Sequence, residues 1–234
     1  MKTYWTLTDT VARLQQPHFT GEVDILFPWH GFFLETRLPD KIALLKVFTR
    51  ASGGATPETL VDSYQRGTDL VATYAQTPER NVRPQVYWRF VEPSALELIL
   101  SAQTSLLDSQ PATALESALP AGEMVPLSAD AKVVQLTLDG WQTDDSAPRA
   151  VLFRPAGLEL SYLEMVHPTD FAGVQLSIID GLPTARWHLF PERLEKGVIR
   201  RGRVRGVMLP RANDLQQAQK ALIEFAHSAL TLST

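Results

Sequence analysis

Through most of the chain, apolar side chains recur at every second position. In residues 132–138, Val134, Leu136 and Leu138 alternate with Val133, Gln135 and Thr137. In residues 173–180, Val174, Leu176 and Ile178 alternate with Gln175, Ser177 and Ile179. A two-residue period puts neighbouring side chains on opposite faces of a strand. The same reading predicts strands over residues 32–38, 42–49, 85–91, 96–104 and 158–167. Turn residues separate them at Pro39-Asp40, Gly53-Gly54, Pro93-Ser94, Asp139-Gly140 and Gly181-Leu182-Pro183. Residues 59–66 and 69–76 read as two further strands rather than one helix, because Gly67 inside a helix costs about 1 kcal/mol relative to alanine.

A three-to-four-residue period appears only near the two ends. Leu7, Val11 and Leu14 predict a short helix over 8–15, stopped by Pro17. Leu215, Ala218, Leu222, Phe225, Ala226 and Ala229 predict a longer helix over 213–230, with Asn213 as its cap and Gln216 completing a capping box. Residues 108–128, rich in Ala, Pro, Ser and Leu, read as a wandering surface loop with one helical turn near 114–118, and residues 143–148 as a second polar loop.

About a dozen short strands without interleaved helices point to an all-β fold. The expectation is a single domain over 1–234, a large antiparallel β-sandwich with the C-terminal α-helix packed on it. Its strand count resembles that of large supersandwiches of galactose-mutarotase type, which often hold a sugar on a concave sheet face. No motif carries the likeness beyond the level of the fold. Residues 59–101 also align without gaps on 149–191, with seven identities that include Gly67, Pro78 and Pro93 at turns. That spacing predicts a duplicated four-strand meander.

Composition narrows the function classes. The 234 residues are 44% hydrophobic and 21% charged, with a formal net charge of −4, so the chain can bury a sizeable core and is no general nucleic-acid binder. It has no cysteine, which excludes disulfides, thiolate metal sites and a cysteine nucleophile. No apolar run suits a signal peptide or a membrane span, so a soluble, cytoplasmic protein without membrane contacts is expected. Phosphate-loop, dinucleotide, zincin and serine-hydrolase motifs are absent from the sequence, and neither cofactor nor metal is expected.

From Arg193 to Arg211 inclusive lie seven basic residues and one acid, Glu195. In a strand, Arg201, Arg203 and Arg205 line one side while Gly202, Val204, Gly206 and Met208 occupy the other. Two readings stand: a surface ladder paired to acids such as Glu159, Glu164 or Asp180, or a pocket for an acidic sugar. Glu164, His167 and Asp170 form a Glu-x-x-His-x-x-Asp string that suits proton transfer or a metal on a helix, although this segment reads as a strand. His188 alternates with Trp187 and shares its face with Arg186, as either a cleft-facing base or a hydrogen-bonded structural residue. His30, between Pro28-Trp29 and Gly31, sits in a turn, as either a site residue or simply a turn residue. Trp88 and Arg89 belong to a dense aromatic strand in which Tyr87 and Trp88 face opposite ways, so one of them suits a sugar ring and the other the core.

The leading expectation is therefore a carbohydrate-recognising protein, epimerase-like or lyase-like if it is an enzyme. Its catalytic candidates are His188, His167 and Glu164, and its ligand-binding candidates Trp88, Arg89, Arg201, Arg203 and Arg205. The competing expectation is a non-catalytic binding or assembly domain, compatible with a homo-oligomer, in which the C-terminal helix or the arginine strand meets another chain.

Overall fold

The computed structural model describes residues 4–37, 42–49, 56–190 and 192–229. In chain order the strands are β1 (Trp5–Thr8), β2 (Val11–Gln16), β3 (Phe19–Asp24), β4 (Phe32–Leu34), β5 (Ile42–Phe48), β6 (Leu60–Arg66), β7 (Asp69–Tyr74), β8 (Arg83–Val91) and β9 (Ala95–Gln103). They continue with β10 (Thr113–Ala118), β11 (Ala121–Leu127), β12 (Trp141–Gln142), β13 (Ala150–Pro155), β14 (Leu160–Val166), β15 (Phe171–Ile179), β16 (Leu182–Leu189) and β17 (Ile199–Pro210), followed by helix α1 (Asp214–Ala226). One sheet has nine strands in the order β1-β2-β3-β4-β5-β10-β16-β15-β12, the other eight in the order β11-β13-β14-β17-β9-β8-β7-β6. Every strand pairing is antiparallel. The fold is a large antiparallel β-sandwich with a C-terminal helix.

Alternation explains the layering. Phe19, Phe32, Leu44, Leu115 and Trp187 of the nine-stranded sheet meet Leu70, Trp88, Leu98, Phe153, Tyr162 and Val204 of the eight-stranded sheet in one buried cluster. A second cluster lies on the far side of the eight-stranded sheet, where Leu152, Leu163 and Met165 receive Ala218, Leu222 and Phe225 of α1. Burying Leu222 and Phe225 contributes about 2 kcal/mol each and fixes the helix on that sheet. The main strand contacts of α1 are to β17, β13 and β14, all in the eight-stranded sheet, and no helix covers the outer face of the nine-stranded sheet among the described residues.

Several sequence expectations are corrected. Residues 8–15 form no helix. They belong to the hairpin β1–β2, turned at Asp9 with φ 53°, and Ala12 and Leu14 are buried at a two-residue spacing. Residues 114–118 are a central strand between β5 and β16, because Leu115 packs into the core and Ser117 bonds to Glu164, a context that overrides the weak strand propensity of the segment. Residues 132–138 do not form a strand. Only the bridge Leu127↔Val133 pairs there, and Val133, Leu136 and Leu138 stay exposed for want of a facing sheet. The strand predicted over 32–38 ends at Leu34, and Leu38 lies outside the described residues. Asn213 adopts a left-handed conformation and makes no side-chain cap. The first-turn carboxylate of Asp214 instead accepts two hydrogen bonds from Arg154, both 2.9 Å, and one from Ser161 at 2.6 Å. The duplication also fails: β6 to β9 form a meander in one sheet, whereas β13–β14 and β15–β16 lie in different sheets.

Candidate functional site

The residues singled out from sequence fall into three separate compartments. The first is the interior of the sandwich. Glu164 points inward from β14 and is fully buried. Its carboxylate accepts from Tyr162 Oη at 2.7 Å, from Trp187 Nε1 at 2.7 Å and from Ser117 Oγ. Burial raises its pKa to about 6 against the opposing pull of these three donors. Gly206 on β17 makes room for this group, since a Cβ there would stand 2.3 Å from the Tyr162 hydroxyl oxygen. Trp88 is also fully buried inside the sandwich, which removes it as a stacking platform for a sugar.

The second compartment is the outer face of the eight-stranded sheet. Here the strand register aligns Asp69, Arg89, Glu97 and Arg205 in one cross-strand row. Arg89 donates to both Asp69 oxygens at 2.7 and 2.8 Å, and Arg205 donates twice to Glu97 Oε2 at 2.9 and 2.6 Å. Arg203 is buried, with its backbone N–H donating to Asp170 at 3.0 Å and its Nη1 to the Ala229 carbonyl at 2.9 Å. Arg201 is half-buried opposite Ser101. The arginines do share a face, as their alternation predicts, but the acids paired with Arg205 and Arg203 are Glu97 and Asp170 rather than Glu159, Glu164 or Asp180. His167 lies beside them, buried under α1, with its ring edge-on to Phe225 at 5.4 Å and Nδ1 2.8 Å from Thr169 Oγ1. Burial, then the neighbouring Arg203, lowers its pKa. This face is a charge ladder locked by its own acids.

The third compartment holds only His188 of the catalytic and ligand-binding candidates. Thus Glu164, His167 and His188 face the interior, one outer face and the opposite outer face, and they cannot act on one substrate together. The Glu164–His167–Asp170 string is divided in the same way, because a strand turns Glu164 away from the two residues that follow it.

That third compartment, the outer face of the nine-stranded sheet, has the composition of a binding surface. The register places Lys46, Glu116, Arg186, Gln175 and Trp141 in one row across β5, β10, β16, β15 and β12. Glu116 is flanked by Lys46 Nζ at 3.4 Å and Arg186 Nη1 at 3.6 Å, and the Arg186 guanidinium lies 4.8 Å from the centre of the Phe48 ring. The next row is Phe48, Ala114, His188 and Gly173. Small neighbours on either side leave His188 in a depression, and Trp141 closes over it with ring centroids 3.8 Å apart at 77°. A cleft of about 270 Å³ opens there, lined by Gln110, Thr113, Trp141, Thr143, His188 and Phe190. This is just below the usual range of about 300–1,000 Å³ for ligand sites.

Two properties make this cleft chemically distinctive. Trp141 is 51% exposed, whereas Trp88 and Trp187 are fully buried. His188 Nε2 is buried without a hydrogen-bond partner, and burial followed by the Arg186 charge lowers its pKa to about 4. At neutral pH it is therefore an uncharged imidazole with one buried nitrogen that lacks a hydrogen-bond partner. Sequence reasoning placed His188 and Arg186 on one face, but it missed Trp141, Glu116 and Lys46. Trp141 follows a turn at Asp139-Gly140 in a two-residue strand too short for periodicity, and Glu116 was assigned to a loop. A second cleft of about 240 Å³, between His18, Leu34, Leu119, Tyr162 and Met208, is mainly apolar.

The chain matches no protein-family model and no curated protein sequence. Its fold does match solved structures. A candidate aldose 1-epimerase from Escherichia coli K12 aligns with a TM-score of 0.54 at 9% identity, covering 89% of this chain and 99% of that one. The protein HI1317 aligns with a TM-score of 0.54 at 10% identity, covering 89% of this chain and all of the other. A candidate kojibiose phosphorylase from the human microbiome aligns with a TM-score of 0.50 at 9% identity, covering 98% of this chain but 37% of the larger protein. The architecture is that of aldose-epimerase-like β-sandwiches. At these identities the likeness concerns the fold alone.

Proposed function

We propose that this protein binds carbohydrate on the outer face of its nine-stranded sheet, with a sugar ring stacked at Trp141. The observation that carries this reading is an exposed indole packed on an uncharged histidine beside a row of Lys46, Glu116, Arg186 and Gln175. Aromatic faces match the apolar C–H face of a pyranose, and the polar row supplies donors and acceptors for its hydroxyls. Two structural neighbours named for sugar chemistry, the candidate aldose 1-epimerase and the candidate kojibiose phosphorylase, support it. Should the protein also be catalytic, the proton-handling groups on this face are His188 and Glu116.

The test is a thermal-shift and calorimetric screen against neutral sugars and uronates, repeated with Trp141→Ala and His188→Ala. Saturation at 100 times the dissociation constant stabilises by about 2.7 kcal/mol, and both variants are expected to lose that shift while keeping their unliganded melting temperature. A sugar-induced shift untouched by Trp141→Ala refutes the placement of the site. Polarimetry of a pure anomer with wild type and His188→Ala then separates an epimerase from a binding protein.

One observation favours a second reading. Leu138, Trp141, Ile178 and Ile179 are all exposed on or beside β15, as an assembly surface would be. That reading requires a dimer in sedimentation velocity, dissociated by Ile178→Asp. A monomer at tens of micromolar excludes it.

A further inference from the structure

Resting on the carbohydrate reading above, we propose that the ligand is an oligosaccharide laid across the strands, contacting a second aromatic platform at the far end of the same face. That platform is the 3-10 turn Pro28–His30 with its flanking residues. His30 is exposed and lies parallel on Phe27, with ring centroids 5.2 Å apart and planes 7° apart, while Phe33 sits 6.3 Å from His30. Phe33 belongs to the outer face, because its neighbour Phe32 is in the core between the sheets.

Packing ties this cluster to the polar row. The ladder stops at the pair Phe32↔Leu44, because the 3-10 turn Pro28–His30 replaces one strand and a bulge at Leu45, φ 52°, interrupts the other; the turn packs directly on β5 instead. Gly31 confirms the closeness: a Cβ on it would stand 2.8 Å from Lys46 Cγ, and its φ of 76° is one that side-chain-bearing residues rarely adopt. The platform therefore adjoins the Lys46 end of the row that continues through Glu116, Arg186 and Gln175 to Trp141. From the edge of β4 to β12 are five strand steps of roughly 4.8 Å, or ~24 Å, several times the width of one pyranose ring. Flat rings at both ends and alternating charge between them suit a chain of sugars better than a single one, since a monosaccharide at Trp141 leaves the His30 end unused.

Calorimetric titration with one-, three- and six-unit members of β-1,4-glucan, β-1,4-xylan and α-1,4-galacturonan tests this. In the series that binds, the six-unit member is expected to bind at least tenfold tighter than the single unit. His30→Ala should abolish that gain and leave single-unit affinity unchanged, whereas Trp141→Ala weakens both. Phe33→Ser serves as a second variant at the same platform. Equal affinity for one and six units, or six-unit binding indifferent to His30→Ala and Phe33→Ser, overturns the proposal and leaves the single-ring reading standing. Absence of binding by every member, single units included, overturns the carbohydrate reading and this inference with it.

Discussion

Replacing Glu164 by glutamine removes the one ionisable carboxyl held by three donors between the two sheets. In the native protein its pKa is about 6, against 4.5 for an ordinary glutamate. Between those two pH values the native state keeps a proton that the unfolded chain has released. Stability therefore falls as pH rises through this window. A rise of about 1.5 in pKa, at about 1.36 kcal/mol per pKa unit, amounts to about 2 kcal/mol. That stabilisation is present below pH 4.5 and lost above pH 6. Glutamine keeps the shape and one carbonyl acceptor but carries no charge at any pH. Urea unfolding of wild type and Glu164→Gln, at half-unit steps from pH 4 to pH 8, gives two stability curves. Their difference cancels contributions common to both, including that of His188, whose lowered pKa makes stability rise with pH in an overlapping window. The wild-type advantage is expected to shrink by about 2 kcal/mol between pH 4.5 and pH 6.5 and to stay constant elsewhere. A flat difference curve, or one that rises with pH, refutes the assignment of Glu164 as a desolvated carboxyl.

Other consequences follow from the same contacts. Gly206→Ala drives a methyl group against the Tyr162 hydroxyl and breaks its bond to Glu164. A loss of about 3 kcal/mol in urea unfolding is expected from overpacking plus a broken charged hydrogen bond, and a loss below 0.5 kcal/mol contradicts the packing. Glu97→Ala strips Arg205 of its carboxylate and Arg89 of a charge 3.9 Å away; about 2–4 kcal/mol should disappear, near the range for breaking a buried pair, with Glu97→Gln milder. His188 should titrate with a midpoint of about 4 in its imidazole NMR signals, and a midpoint near 6.5 would show that it is solvated. Asp214→Ala should detach the start of α1 from Arg154 and Ser161, read as faster amide exchange across Asp214–Ala226 than in β14.

The alternation that filled the core was legible residue by residue. Trp187 and His188, or Tyr87 and Trp88, were assigned opposite faces because a strand permits nothing else, and the structure follows. The choice between inside and outside was not legible, since alternation says which residues share a face and not what covers it. Trp88 and Trp187 went inward for that reason, and Glu164 with them. The arginines of β17 were correctly grouped, but their acids come from β9 and the turn before β15, pairings that only the strand order reveals. The binding face was hidden for a further reason. Its row takes one residue from each of five strands, only two of which, β15 and β16, are neighbours in sequence, and two others, β10 and β12, lack the β-branched character or the length that periodicity detects. Residues 8–15 show the converse failure, where Leu7, Val11 and Leu14 fit a helical stripe by coincidence across a tight hairpin.

The claim on which the functional account rests is that the outer face of the nine-stranded sheet receives a sugar at its one strongly exposed tryptophan. Five tryptophans give five indole N–H signals in a ¹H–¹⁵N NMR spectrum, and Trp141→Phe identifies one of them. On titration with a binding saccharide, the Trp141 indole signal should move with saturation while the buried Trp5, Trp88 and Trp187 signals stay in place. Saturable binding that shifts the backbone amides of Arg89, Glu97 and Arg205 while Trp141 stays fixed would place the site on the opposite sheet and contradict the account.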